Sequence, residues 1–151
     1  MLKLWGSQGY DTSSLRAEYF CNNITAGSAA FWFLDRDGES IAELYAFFNL
    51  EDKDFADGNT TAYLCLFRVK EEYRGRGDGT LLMEAVLSEL KEMGFRHATI
   101  GVESNEPQNY RMYQRLGFDT IKKKGYYDHS GMDESMQLED DTVWWLLQKN
   151  L

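Results

Sequence analysis

The clearest periodicity in the chain runs from Thr80 to Met93, where Leu82, Val86, Leu90 and Met93 recur at spacings of three and four. That spacing predicts a helix with one apolar face, and Gly94 follows where a left-handed residue commonly ends one. Just before this helix, Thr61 to Lys70 carries Tyr63, Leu64, Cys65, Leu66, Phe67 and Val69 with little alternation, which predicts a strand buried on both faces. Ala98 to Val102 is a second, shorter β-type run. Asn105-Glu106-Pro107-Gln108 reads as a helix start, with Asn105 as N-cap and proline in the first turn, and Gly117 closes that helix. Nearer the N-terminus, Asp11 to Asn22 can be helical, while Phe31 to Leu34 and Ile41 to Phe48 flank Asp35-Arg36-Asp37-Gly38 as an antiparallel hairpin. Phe118 to Tyr127 and Thr142 to Leu147 read as final strands, and the acidic stretches Glu51 to Asn59 and Asp128 to Asp141 as loops.

These elements predict a mixed α/β sheet in which one strand-helix-strand unit, Thr61 to Val102, sits among hairpins. With 151 residues, 43% of them hydrophobic and 15% aromatic, the expectation is a single domain over residues 1–151 with a real core. A net charge of -9 repels phosphate backbones and anionic lipid, so neither nucleic acid nor a membrane surface is expected as a partner. The longest apolar run, Ile41 to Leu50, is about half of what a spanning helix needs and is broken by Glu43 and Asn49. Met1-Leu2-Lys3-Leu4-Trp5 does not open a secretory signal, so a cytoplasmic location is expected. Cys21 and Cys65 form no Cys-x-x-Cys pair and no cluster with His97 or His129, so they read as small hydrophobes and no metal is expected.

Candidate chemistry concentrates in the turn between the buried strand and the helix. In Arg74-Gly75-Arg76-Gly77-Asp78-Gly79 three glycines stand at alternate positions, so backbone N–H groups are free of side-chain cover where the helix presents unpaired donors. From Arg68 to Arg76 four basic residues outweigh two acidic ones, against the sign of the whole chain. A phosphate or pyrophosphate is the natural ligand. The dinucleotide spacing fails because Thr80 stands at its last position, and no Gly-Lys-Ser/Thr is present, so NAD and ATP are not favoured.

With Val69 ahead of it and Tyr113-Gln114-Arg115-Leu116-Gly117-Phe118 behind it, this turn resembles the GNAT superfamily of acetyl-CoA-dependent N-acetyltransferases. The resemblance runs from Thr61 to Phe118 and rests on Arg-x-x-Gly-x-Gly after a strand ending in valine, followed by a tyrosine four residues before Gly-Phe. It implies a mostly antiparallel sheet with helices on both faces. It also implies acetyl-CoA as cosubstrate, with its pyrophosphate on the turn formed by Arg74, Gly75, Arg76, Gly77, Asp78, Gly79 and Thr80. The pantetheine arm would follow Phe67 and Val69, and the Phe67 N–H would meet the thioester carbonyl.

The same resemblance makes Tyr113 the acid for the departing thiolate, although Tyr110, Tyr113 and Leu116 also form an apolar helical stripe. The family's asparagine falls on Glu106, leaving Asn105 and Asn109 as the candidates to touch the cosubstrate. For a general base, Glu43 is the one charged residue between Ile41 and Leu50, and Glu103 follows the strand after the main helix; water is the alternative. The expected acceptor is a small amine or peptide amine, and the acidic loops suit a cationic one. A CoA-binding sensor without turnover would keep the turn but need no acid, and an aromatic surface including Trp5 or Trp32 would instead suit a docking domain. An exposed final strand would allow a homodimer.

Overall fold

The computed structural model describes residues 15–126 and 143–151. The chain runs α1 (Leu15–Thr25), β1 (Ala29–Arg36), β2 (Glu39–Phe47), β3 (Thr61–Val69), a 3₁₀ turn (Glu71–Tyr73), α2 (Asp78–Glu92), β4 (His97–Glu103), α3 (Pro107–Arg115), β5 (Thr120–Tyr126) and β6 (Val143–Asn150). The strands form one sheet in the order β1-β2-β3-β4-β6-β5. Among the described residues only the β3–β4 pair is parallel, because α2 carries the chain back across the sheet between them.

The hairpin turns at Asp37 and Gly38, both with positive φ (51° and 79°), a two-residue connection whose twist matches that of its strands. Strand β2 is buried at every position after Glu39, since both of its faces are covered. On one face Leu44, Ala46 and Leu64 pack with Leu82, Met83, Val86, Leu87 and Leu90 of α2 and with Tyr113 and Phe118. On the other, Tyr45 and Phe47 pack with Ala29 and with Ile24 of α1.

Three sequence expectations need correction. Met93 is about half exposed, because the buried face of α2 turns through Met83 and Leu87 instead. Glu106, rather than Asn105, is the N-cap of α3: its carbonyl accepts the first helical bond, from the Tyr110 N–H (3.1 Å), and Pro107 occupies the first helical position without needing a donor. The last strand, β6, is not an edge; it lies between β4 and β5, and β5 and β1 are the borders of the sheet. The helix expected at 11–22 is described from Leu15 and extends to Thr25. Trp5, residues 11–14, Tyr127, the acidic stretch 128–141 and Thr142 lie outside the described residues.

Candidate active site

Two devices create the site: a kink in β3 and the glycine turn that follows it. Pairing of β2 with β3 steps from Tyr45↔Cys65 to Glu43↔Arg68, so Leu66 and Phe67 stand where β2 supplies only Leu44. Leu66 takes a left-handed φ of 53°, which makes this a β-bulge held at a backbone angle leucine seldom adopts. Pairing of β3 with β4 ends at Leu64↔Ile100. Beyond that point no β3–β4 pairing continues, and two clefts share Phe67 and Arg68 of the unpaired stretch of β3.

The first cleft, about 610 Å³, is lined by Phe67 and Val69 of β3, by Arg74, Gly75, Gly77, Gly79 and Thr80 of the turn, and by Asn109 and Tyr113 of α3. The 3₁₀ turn leading into it is tied to the hairpin, since Lys70 Nζ and the Tyr73 hydroxyl both donate to the Glu39 carboxylate (2.7 and 3.1 Å). Arg74 Nε donates to the Val69 carbonyl (3.0 Å), which fixes the arginine against the end of the strand. Gly77 caps α2 with a φ of 85°, and a Cβ there would meet nothing within 4 Å, so this side of the turn is open. Gly79 faces the opposite constraint. A Cβ there would lie 3.0 Å from Val69 and 3.1 Å from Phe67, so any side chain at this position presses on the two strand residues that line the cleft. The open turn, the helix N-terminus and Arg74 together suit a phosphorylated ligand.

The second cleft, about 660 Å³, is lined by Tyr63, Phe67 and Arg68 of β3, Glu103 at the end of β4, Glu106, Tyr113, Phe55 and Trp144. Phe55 packs against Tyr63 and Trp144 with ring centroids 5.1 and 5.6 Å apart, and Trp144 is in turn the cross-strand partner of Glu103. Burial, with smaller contributions from Cys65 and Tyr113, pushes the Tyr63 phenol up to about 12.

Tyr113 lines both clefts. Its ring meets Phe118 edge-on at 6.2 Å, and the neighbouring Tyr110 rests on Trp145 at 5.0 Å, so the stripe that reads as core in the sequence anchors α3 while directing Tyr113 to the junction. Burial, and secondarily the Glu106 charge, pushes its phenol up to about 12. The hydroxyl keeps its proton at neutral pH.

Other candidates lie elsewhere. The Asp78 carboxylate is buried and accepts from Arg36 Nε (2.9 Å) and Nη2, away from the first cleft. The Arg76 guanidinium sits over the Tyr73 ring at 5.5 Å and does not line the cleft, and neither does Asn105. Glu43 is buried on β2 opposite Arg68 and lines a smaller cleft of about 170 Å³ with Arg68, Lys70 and Arg74. Of the two candidate bases, only Glu103 shares a cleft with Tyr113. Sequence reasoning missed Phe55, Arg68, Glu106 and Trp144 as site residues; Phe55 and Trp144 come from a loop and a strand far apart in sequence, so no local motif marks them.

Residues 2–118 match the model of the Acetyltransferase (GNAT) family. The chain belongs to this family. It is 31% identical over 71 residues to N-alpha-acetyltransferase 30 of Schizosaccharomyces pombe, a match spanning 47% of each protein, so it covers about half the length of that relative. An N-alpha-acetyltransferase of Sulfurisphaera tokodaii is 28% identical over 123 residues, covering 76% of this chain and 71% of the other. The fold is shared with a GNAT family acetyltransferase from Elizabethkingia anophelis with acetyl-CoA bound, at 20% identity and a TM-score of 0.65 over 89% of this chain and 82% of that one. Among the described residues of this GNAT chain, no helix is long and apolar enough to cross a membrane.

Proposed function

We propose that the chain, as a single domain, transfers the acetyl group of acetyl-CoA to a primary amine by direct attack, with the α-amine of a peptide as the first acceptor to test. One observation carries this reading: Tyr113 and Phe67 line both the cleft beside the glycine turn and a second cleft that also holds Glu103 and Glu106. Two substrates can therefore reach one point from two clefts, as transfer without a covalent intermediate requires.

The turn from Arg74 to Thr80 fits a pyrophosphate, because Gly75 and Gly77 leave open space over the backbone at the N-terminus of α2. Phe67, within the bulge, supplies a backbone N–H for the thioester carbonyl, polarising it as the amine attacks. Glu103 and Glu106 favour an incoming ammonium, and Glu103 or a water on it takes the proton that must leave before attack. Tyr113 donates its O–H to the departing sulfur. A phenol at about 12 is a weaker acid than an ordinary thiol near about 8.5, so the larger part of its help is a hydrogen bond to the thiolate, which finally takes the proton released by the amine.

The test is a turnover screen with acetyl-CoA and a panel of peptides with free N-termini, lysine side chains and polyamines, reading released thiol. Acetylation of an amine supports the reading. CoA binding without turnover on any amine would favour the sensor, and no binding at millimolar CoA would remove both.

A further inference from the structure

The sheet sends one charged side chain from the β1–β2 hairpin to the start of α2. Asp78, the first residue of that helix, has a side chain only 4% exposed, and its carboxylate is held by Arg36, the last residue of β1. Asp78 stands within the glycine turn, between Gly77 and Gly79, both of which line the first cleft. An acidic residue in the first turn satisfies the positive end of a helix. Here that end is also the place offered to a pyrophosphate, so an unpaired carboxylate would repel the ligand and compete for the same N–H donors.

We propose that Arg36 is a positioning residue for the cosubstrate: it neutralises Asp78 and holds the carboxylate off the glycine turn, so that the turn and Arg74 present net positive potential to the pyrophosphate. This rests on the proposed CoA site. Arg36 itself is not required to touch the ligand. Its effect acts through Asp78 and concerns the phosphorylated part of the cosubstrate alone.

Three variants test this: Arg36→Gln, Asp78→Asn and the double variant. CoA affinity is read by calorimetry, and turnover is read with acetyl-CoA and with S-acetylpantetheine, which lacks the pyrophosphate. Arg36→Gln should weaken CoA about tenfold, a loss that shrinks as salt screens the exposed charge, and raise KM for acetyl-CoA with kcat little changed. The double variant should return to within about twofold of the parent, because removing the carboxylate removes the repulsion. S-acetylpantetheine turnover should be unaltered throughout. Equal CoA affinity in the parent and Arg36→Gln overturns the proposal, and so does a double variant as weak as Arg36→Gln. A parallel loss with S-acetylpantetheine would mean a general structural role and also overturns it. Should Arg36→Gln fail to fold, Arg36→Lys keeps the charge while giving up the two-nitrogen grip, and near-parental CoA affinity is then expected, with a tenfold loss counting against the proposal. A parent that binds no CoA would instead overturn the proposed site itself.

Discussion

At the residue scale, the core position and the cleft position of Tyr113 are compatible, although the sequence presents them as alternatives. It is buried with Phe118 and it stands between two clefts, so the helical stripe and the motif tyrosine are the same observation. Tyr113→Phe keeps the ring and should lower kcat by about 10²-fold with little change in KM for acetyl-CoA, measured by steady-state kinetics. Because burial and Glu106 raise the phenol to about 12, the hydroxyl keeps its proton through the alkaline range. The Tyr113-dependent advantage should therefore persist from neutral pH to about pH 10, and a decline near the ordinary tyrosine value would contradict the buried setting. Asp57 offers a second residue-scale test. Burial alone would raise its carboxyl, but the Thr60 hydroxyl and the Thr61, Asn59 and Thr60 amides donate to it and hold it far below the usual carboxylate range. A lowered folded-state value means stability that is present above the unfolded value of about 4 and is lost as acid protonates the group. Asp57→Asn should thus be less stable at neutral pH and flatten the loss of stability below about pH 4, as read by urea unfolding across pH.

At the element scale, the approach of α2 to β3 decides the width of the first cleft. Gly79→Val would drive a branched side chain into Val69 and Phe67, costing about 1–3 kcal/mol in urea unfolding and weakening CoA binding by displacing the strand. Gly77→Val differs in cause, since its Cβ would meet open space while its backbone angle suits only glycine. It should cost about 1–3 kcal/mol through backbone strain and abolish CoA binding in calorimetry, because relief of the strain closes the turn on its own N–H groups. The helix, its glycine stop and the position of β3 are legible in the chain, because each has a local period or a local breaker, but the expected burial of β3 on both faces fails from Cys65 onward, where the strand has parted from β4 and is only partly covered. The bulge at Leu66 is not, since leucine carries no signal for a left-handed angle and only the mismatch of β2 against β3 imposes it.

At the scale of the whole molecule, the chain is acidic, yet its proposed ligand is an anion. The contradiction is resolved locally: Arg74 and the N-terminus of α2 face the first cleft, while Asp78 is covered by Arg36 and Glu39 is paired with Lys70. CoA should accordingly raise the melting temperature by mass action, by an amount that falls with added salt, in a thermal-shift titration; a salt-independent rise would mean that charge does not hold the ligand.

The sequence by itself determined the mixed α/β class, the strand-turn-helix unit, the glycine turn and the helix that carries Tyr113, because all of these are written in contiguous residues whose spacing matches a period, a turn or a motif. Tertiary structure alone decided which carboxylate shares a cleft with Tyr113, that Asp78 belongs to Arg36, and that β6 lies inside the sheet. Each of these depends on which strands become neighbours. That choice is made by burial of both sheet faces at once, a property of the folded chain that no local window of residues contains.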